Sequence, residues 1–74
     1  MNATEWLEAY ADRLGVAAPG NAEFTAVLDL AGVAAHGSER VAAPIACWLA
    51  AKADVTLEQA LEQARQVSAD SADG

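Results

Sequence analysis

The sequence predicts an all-α fold, a compact four-helix bundle-like domain with short loops. Two observations predict it. Twenty of the 74 residues are Ala, the strongest helix former, and β-branched residues never run together as they do in strands. The breakers Gly15, Pro19-Gly20, Gly37 and the Asp54-Val55-Thr56 step then cut the chain into four segments of helical length.

The first segment opens at Asn2, whose side chain can cap while Glu5 completes a capping box, and closes at Gly15 as a C-terminal cap. Trp6, Tyr10 and Leu14 repeat at i, i+4, i+8 with Ala3, Leu7 and Ala11 beside them, so one face is apolar. Glu5, Glu8, Asp12 and Arg13 turn toward water. After the loop Val16 to Gly20, Asn21 is positioned to cap the second helix, with Glu23 in its first turn where the dipole favours negative charge. Phe24, Leu28, Ala31 and Ala35 form one row and Val27, Leu30 and Ala34 the next, which makes this helix apolar over most of its circumference and therefore central.

Gly37 ends the second helix as its C-terminal cap, and Ser38 can cap the third. Pro44 requires the third helix to begin near it, since proline is tolerated only in a first turn. Ile45, Trp48 and Leu49 give that helix a wide apolar face. Thr56 and Gln59 make a second capping box, Val55 can staple to Ala60, and Leu57, Leu61, Ala64 and Val67 or Ser68 define the fourth helix. Beyond it the residues are small, polar and acidic, so residues 1–69 read as one helical domain and 70–74 as a flexible acidic tail. Loops of two to six residues favour antiparallel neighbours. The two Trp, Tyr10 and Phe24 are the large pieces available for a core, and Trp48, if its own chain leaves it uncovered, becomes the anchor of a homo-oligomer.

Charge excludes several functions. Eleven acidic residues against Arg13, Arg40, Lys52 and Arg65 give a net charge of −7, and the four cations are scattered. No basic stripe can neutralise a row of phosphates, so neither nucleic acid nor an anionic membrane surface is a partner. The longest apolar stretch, Val41 to Ala51, is about half of a bilayer span, and the start shows no signal-peptide pattern. Cys47 is the sole cysteine, set between apolar residues, and reads as a buried structural thiol in a cytoplasmic protein. One Cys and one His are too few soft ligands for zinc, and no cofactor is implied.

The dense polar cluster is His36-Gly37-Ser38-Glu39-Arg40. It contains the residue types of a nucleophilic triad, but adjacency is not triad geometry and no strand-turn-helix elbow surrounds the serine, so no catalytic residue is assigned. Helix capping explains most of it, with Arg40 pairing to an acidic neighbour such as Asp29. The alternative is a small-ligand or anion site, in which the amides at the start of the third helix, flanked by Arg40 and His36, receive a phosphate or carboxylate. A less favoured alternative is an acyl-carrier-like protein with Ser38 at a helix start, although the Asp-Ser-Leu signature is missing. For binding a ligand or partner the candidate residues are His36, Ser38, Glu39, Arg40 and Trp48.

The run Leu28-Asp29-Leu30-Ala31, followed by Val33 to Ile45 with His36, Gly37, Glu39, Arg40 and Pro44 at matching positions, resembles a small actinobacterial helical domain family of uncharacterised function. The amino-terminal Trp6-Leu7 region and the Ala-rich last helix are also similar, so the resemblance spans nearly the whole chain. Val41 departs from it, standing where the family often has proline. Members of that family occur alone or as carboxy-terminal extensions of the guanylyltransferase that attaches a nucleotide to molybdopterin. The resemblance implies a non-enzymatic accessory or protein-interaction domain linked to molybdenum cofactor biosynthesis, with that guanylyltransferase as a partner. The Gly-rich nucleotide-binding segment of the enzyme itself is lacking here.

Overall fold

A computed structural model describes residues 1–72 of the chain. Four helices follow one another: α1 (Ala3–Leu14), α2 (Asn21–Gly37), α3 (Ala42–Ala53) and α4 (Leu57–Ala72). The fold class is the one predicted, all-α and bundle-like. The caps explain the boundaries. At α1 the Glu5 amide donates to Asn2 Oδ1 at 2.8 Å and the Asn2 amide to Glu5 Oε1 at 3.1 Å, which closes the capping box. At its other end Gly15 takes the left-handed conformation (φ 77°); its amide reaches the Asp12 carbonyl at 3.1 Å while that of Val16 reaches Ala11 at 3.0 Å. That pair of bonds is a Schellman motif. At α4, Thr56 and Gln59 exchange two bonds of 3.1 Å.

Two caps depart from the sequence expectation. Asn21 is the first helical residue of α2 rather than its cap; the cap is Gly20, whose amide donates to Glu23 Oε1 at 2.9 Å. Glu23 serves the helix through this bond as well as through the dipole. Gly37 is the last residue of α2 and has no positive φ, so it is not a left-handed cap. The cap position falls to Ser38, whose hydroxyl donates back to the Ala34 carbonyl at 2.7 Å. Asp54 ends α3 in the left-handed region (φ 58°), which Asp tolerates better than most side chains. The fourth helix continues to Ala72, through most of the segment expected to be a tail; the rest of that expectation, Asp73 and Gly74, lies outside the described residues.

Helix α2 is central, as its apolar circumference requires: it packs against both α3 and α4, and Leu30 on it is only 3% exposed. Contacts fix the directions. Ala22 and Ala26 near the start of α2 share a hollow with Val55 and Leu57 at the start of α4, while Gly37 abuts Ser68 toward the end of α4. Helices α2 and α4 therefore run parallel, and α3, which joins them in the chain, packs on α2. The Cys47 thiol, expected to be buried, is half-buried and faces the Val27 carbonyl at 4.0 Å along the α2–α3 seam.

The packing departs most from expectation at α1, which makes only marginal contact with the other helices. The Cα radius of gyration is 13.4 Å, against about 11 Å for a globular chain of this length, and the long axis reaches 43 Å. Trp6, Tyr10 and Trp48, expected as core pieces, are roughly half exposed, at 53%, 49% and 58%. The buried apolar residues are Ala11, Leu30 and Ala60. A helix apolar on one face buries it only where another element lies within reach, and among the described residues α1 has only marginal contact with the other helices.

Candidate functional site

The segment from His36 to Val41 joins α2 to α3, and its five polar and flanking side chains all reach solvent. The amides that open α3 are already engaged: Ala42 donates to the Glu39 carbonyl at 3.0 Å and Ala43 to the Arg40 carbonyl at 3.1 Å. Pro44, the third helical residue, has no amide hydrogen. Among the helical residues Ala42 to Pro44 no amide is left for an anion. The expectation of an anion site on the α3 amides is corrected accordingly. Ser38 sits at the carboxyl end of α2 with its hydroxyl committed to Ala34, and this corrects its expected place as the cap of α3. A carrier protein needs its serine at a helix start, so the geometry removes the one feature that favoured that alternative.

His36 is brought into a different constellation. An open cleft of ≈ 570 Å³ runs between α2 and α4, lined by Leu28, Asp29, Val33, His36, Arg65 and Ser68 among others. Of the five candidate residues, only His36 reaches it. The cation that joins the imidazole there is Arg65, and Asp29, expected opposite Arg40, also lines this cleft. Arg65 was legible as a face-mate of Ser68 one helical turn away, but sequence does not say which helix that face meets.

Trp48 stands on the outer face of α3. Lys52, one turn on, places its ammonium 4.7 Å from the indole ring centroid, within cation–π range. Val41, Ile45 and Trp48 repeat at i, i+4, i+7 and are all exposed, giving a continuous apolar stripe with Arg40 beside one end and Lys52 at the other. On the opposite edge of α3 a separate hollow of ≈ 350 Å³ opens between α3 and α4, floored by Leu30 and Ala60 and rimmed by Leu49, Val55 and Val67. Val55 and Ala60 share it, as the expected staple would. On α1 the rings of Trp6 and Tyr10 lie 5.1 Å apart, tilted by 36°. Sequence marked Trp48 as an anchor; the stripe it belongs to and the hollow behind it appear only once α3 is docked.

Among the described residues no group of three or more His, Cys, Asp or Glu could hold a metal ion, and no helix is long and apolar enough to cross a membrane. The model of the family described as Domain of unknown function (DUF6457) matches residues 1–73. The chain belongs to this family. The DUF6457 match takes in α1 as well as the packed α2–α4 unit, so the poorly packed helix is part of the domain. No curated protein and no solved structure matches the chain.

Proposed function

We propose that the chain is a non-enzymatic protein-interaction domain, an accessory module that works beside a molybdenum cofactor guanylyltransferase. One observation carries the interaction reading: the exposed stripe Val41–Ile45–Trp48, apolar at its centre and cationic at both ends. Interfaces are built this way, with an aromatic anchor desolvated at the centre and charges at the rim. Arg40 and Lys52 suit a partner surface with acidic edges, and their placement is the exception on a chain of net charge −7. Support for the identity of the partner is the similarity of the Leu28 to Ile45 run to domains that extend this enzyme.

The test is titration calorimetry of the chain against the purified guanylyltransferase. Trp48→Ala is expected to weaken binding about 30-fold or more, the loss typical of an interface anchor, and Arg40→Ala about fivefold, with unchanged circular dichroism. Binding that both variants leave intact, or no binding of the native chain, refutes it. A second reading has its own observation, the α2–α4 cleft lined by both His36 and Arg65, which offers an anionic small molecule two hydrogen-bonding side chains. It requires thermal stabilisation by millimolar phosphate or nucleotide that His36→Ala abolishes.

A further inference from the structure

The chain exposes 5859 Å², whereas a self-sufficient monomer of 7.6 kDa exposes about 4,300 Å². It buries only roughly 47% of its unfolded surface, below the roughly 60% of a domain near this size. Besides the Val41–Ile45–Trp48 stripe, part of the unburied surface lies in two further apolar features. One is a ridge on α1, the row Trp6, Tyr10 and Leu14. The other is the α3–α4 hollow, floored by Leu30 and Ala60 and rimmed by Leu49, Val55 and Val67, with no charged residue in its lining.

We propose that a second copy of the chain covers these surfaces, the α1 ridge of each protomer seated in the α3–α4 hollow of the other. The inference deepens the interaction reading above and rests on it for the view that exposed apolar surface here is docking surface; it names the occupant of a different face. Three arguments favour a second copy. The excess of about 1,600 Å² per chain exceeds the roughly 800 Å² per partner of a standard stable interface, so enough surface is open for a second copy to cover. A convex aromatic ridge and a concave aliphatic hollow on one chain are complementary, and a two-fold axis pairs each with the other twice, so one contact is made in duplicate. The six residues from Gly15 to Gly20 separate α1 from α2, and α1 has only marginal contact with the other helices, which leaves its ridge open to a neighbour. The occupant is thus an amphipathic helix laid in a groove, with aromatic anchors spaced by one turn.

Sedimentation equilibrium of the full chain tests this, with two variants whose altered residues are exposed and whose helicity is checked by circular dichroism. One is the ridge variant Trp6→Asp/Tyr10→Asp, the other the hollow variant Leu49→Asp. The expected result is twice 7.6 kDa for the native chain at micromolar concentration, with dissociation about 100-fold easier for each variant alone. An equimolar mixture of the two variants regains part of the dimer, because one of its two ridge–hollow contacts is intact. A native chain of 7.6 kDa at every concentration overturns the proposal, as α1 then closes on its own hollow or stays free. A native dimer that both variants preserve overturns it too, since the copies then meet elsewhere. A monomer that still binds the guanylyltransferase through Trp48 sinks the dimer alone; a ridge-dependent dimer that ignores the enzyme sinks the partner reading alone.

Discussion

Gly37 is where a single methyl group decides whether two helices meet. A Cβ built there would overlap the Ser68 hydroxyl and stand 3.3 Å from the Ser68 Cβ, so hydrogen at this position sets the approach of α2 to α4. The hydroxyl can rotate away, but the Cβ moves only with the helix. Gly37→Ala is therefore expected to lower stability by about 1 kcal/mol even though Ala favours helix by a similar amount. Ser68→Gly should relieve the overlap, giving a coupling of at least about 0.5 kcal/mol in a double-mutant cycle read by urea denaturation. Additive effects would mean that α4 sits farther from α2. Trp48 makes the opposite point, since over half of its surface is exposed and its truncation to Ala should leave stability nearly unchanged while weakening partner binding about 30-fold or more.

At the scale of elements, the two capping boxes are chemically alike and energetically different. Losing a cap side chain costs about 1 kcal/mol of helix stability. Thr56→Ala should pass that cost to the whole domain, because α4 is docked on α2 and unfolds with it. Asn2→Ala should not, as α1 has only marginal contact with the rest and a 12-residue helix alone is marginal in water. At concentrations where the chain is monomeric, the expectation is lost amide-exchange protection confined to α1 for Asn2→Ala, against a lowered global transition for Thr56→Ala. A lowered global transition for both would show that α1 is packed on the body. A third terminus offers a gain: Asp54 puts a negative charge at the carboxyl end of α3 in a left-handed conformation. Asp54→Asn keeps the conformational tolerance, removes the unfavourable charge–dipole term, and should raise the melting temperature by the equivalent of about 0.5 kcal/mol.

For the whole molecule, charge and apolar surface oppose each other. Two copies each carrying −7 repel, while the ridge and hollow attract without charged groups in the hollow. Raising salt from 0.01 M to 0.15 M shortens the screening length from about 30 Å to about 8 Å and removes most of that repulsion. Self-association should therefore tighten by roughly threefold or more over this range, measured as the dimer Kd by sedimentation. A Kd that rises with salt would mean that ion pairs hold the copies together. In the monomer the fold stays open: α2 supplies the buried contact that docks α3 and α4, while α1 keeps only marginal contact with them.

What the sequence determined by itself is local. The helices, the boxes at Asn2/Glu5 and Thr56/Gln59, the glycine cap at Gly15 and the central place of α2 were all legible, because a cap is a bond between residues three apart and a helix face is a matter of period. Where two local solutions competed, at Gly20 against Asn21 and in the direction that Ser38 caps, sequence favoured the wrong one, since either partner satisfies the same orphan groups. Tertiary structure alone decided which apolar faces found a partner. Trp6, Tyr10 and Trp48 carry the same hydrophobic drive as Leu30, yet that drive has no direction, and only the docked positions of the helices decide what lies within reach. The candidate site divided in the same way: sequence singled out His36, Arg40 and Trp48 as residue types, and the structure leaves all three exposed, Trp48 against its expected place in the core. That His36 and Arg65 line one cleft, that Arg40 edges the Trp48 stripe, and that Gly37 serves contact rather than conformation follow from the packing of α3 and α4 on α2, with α4 parallel to it.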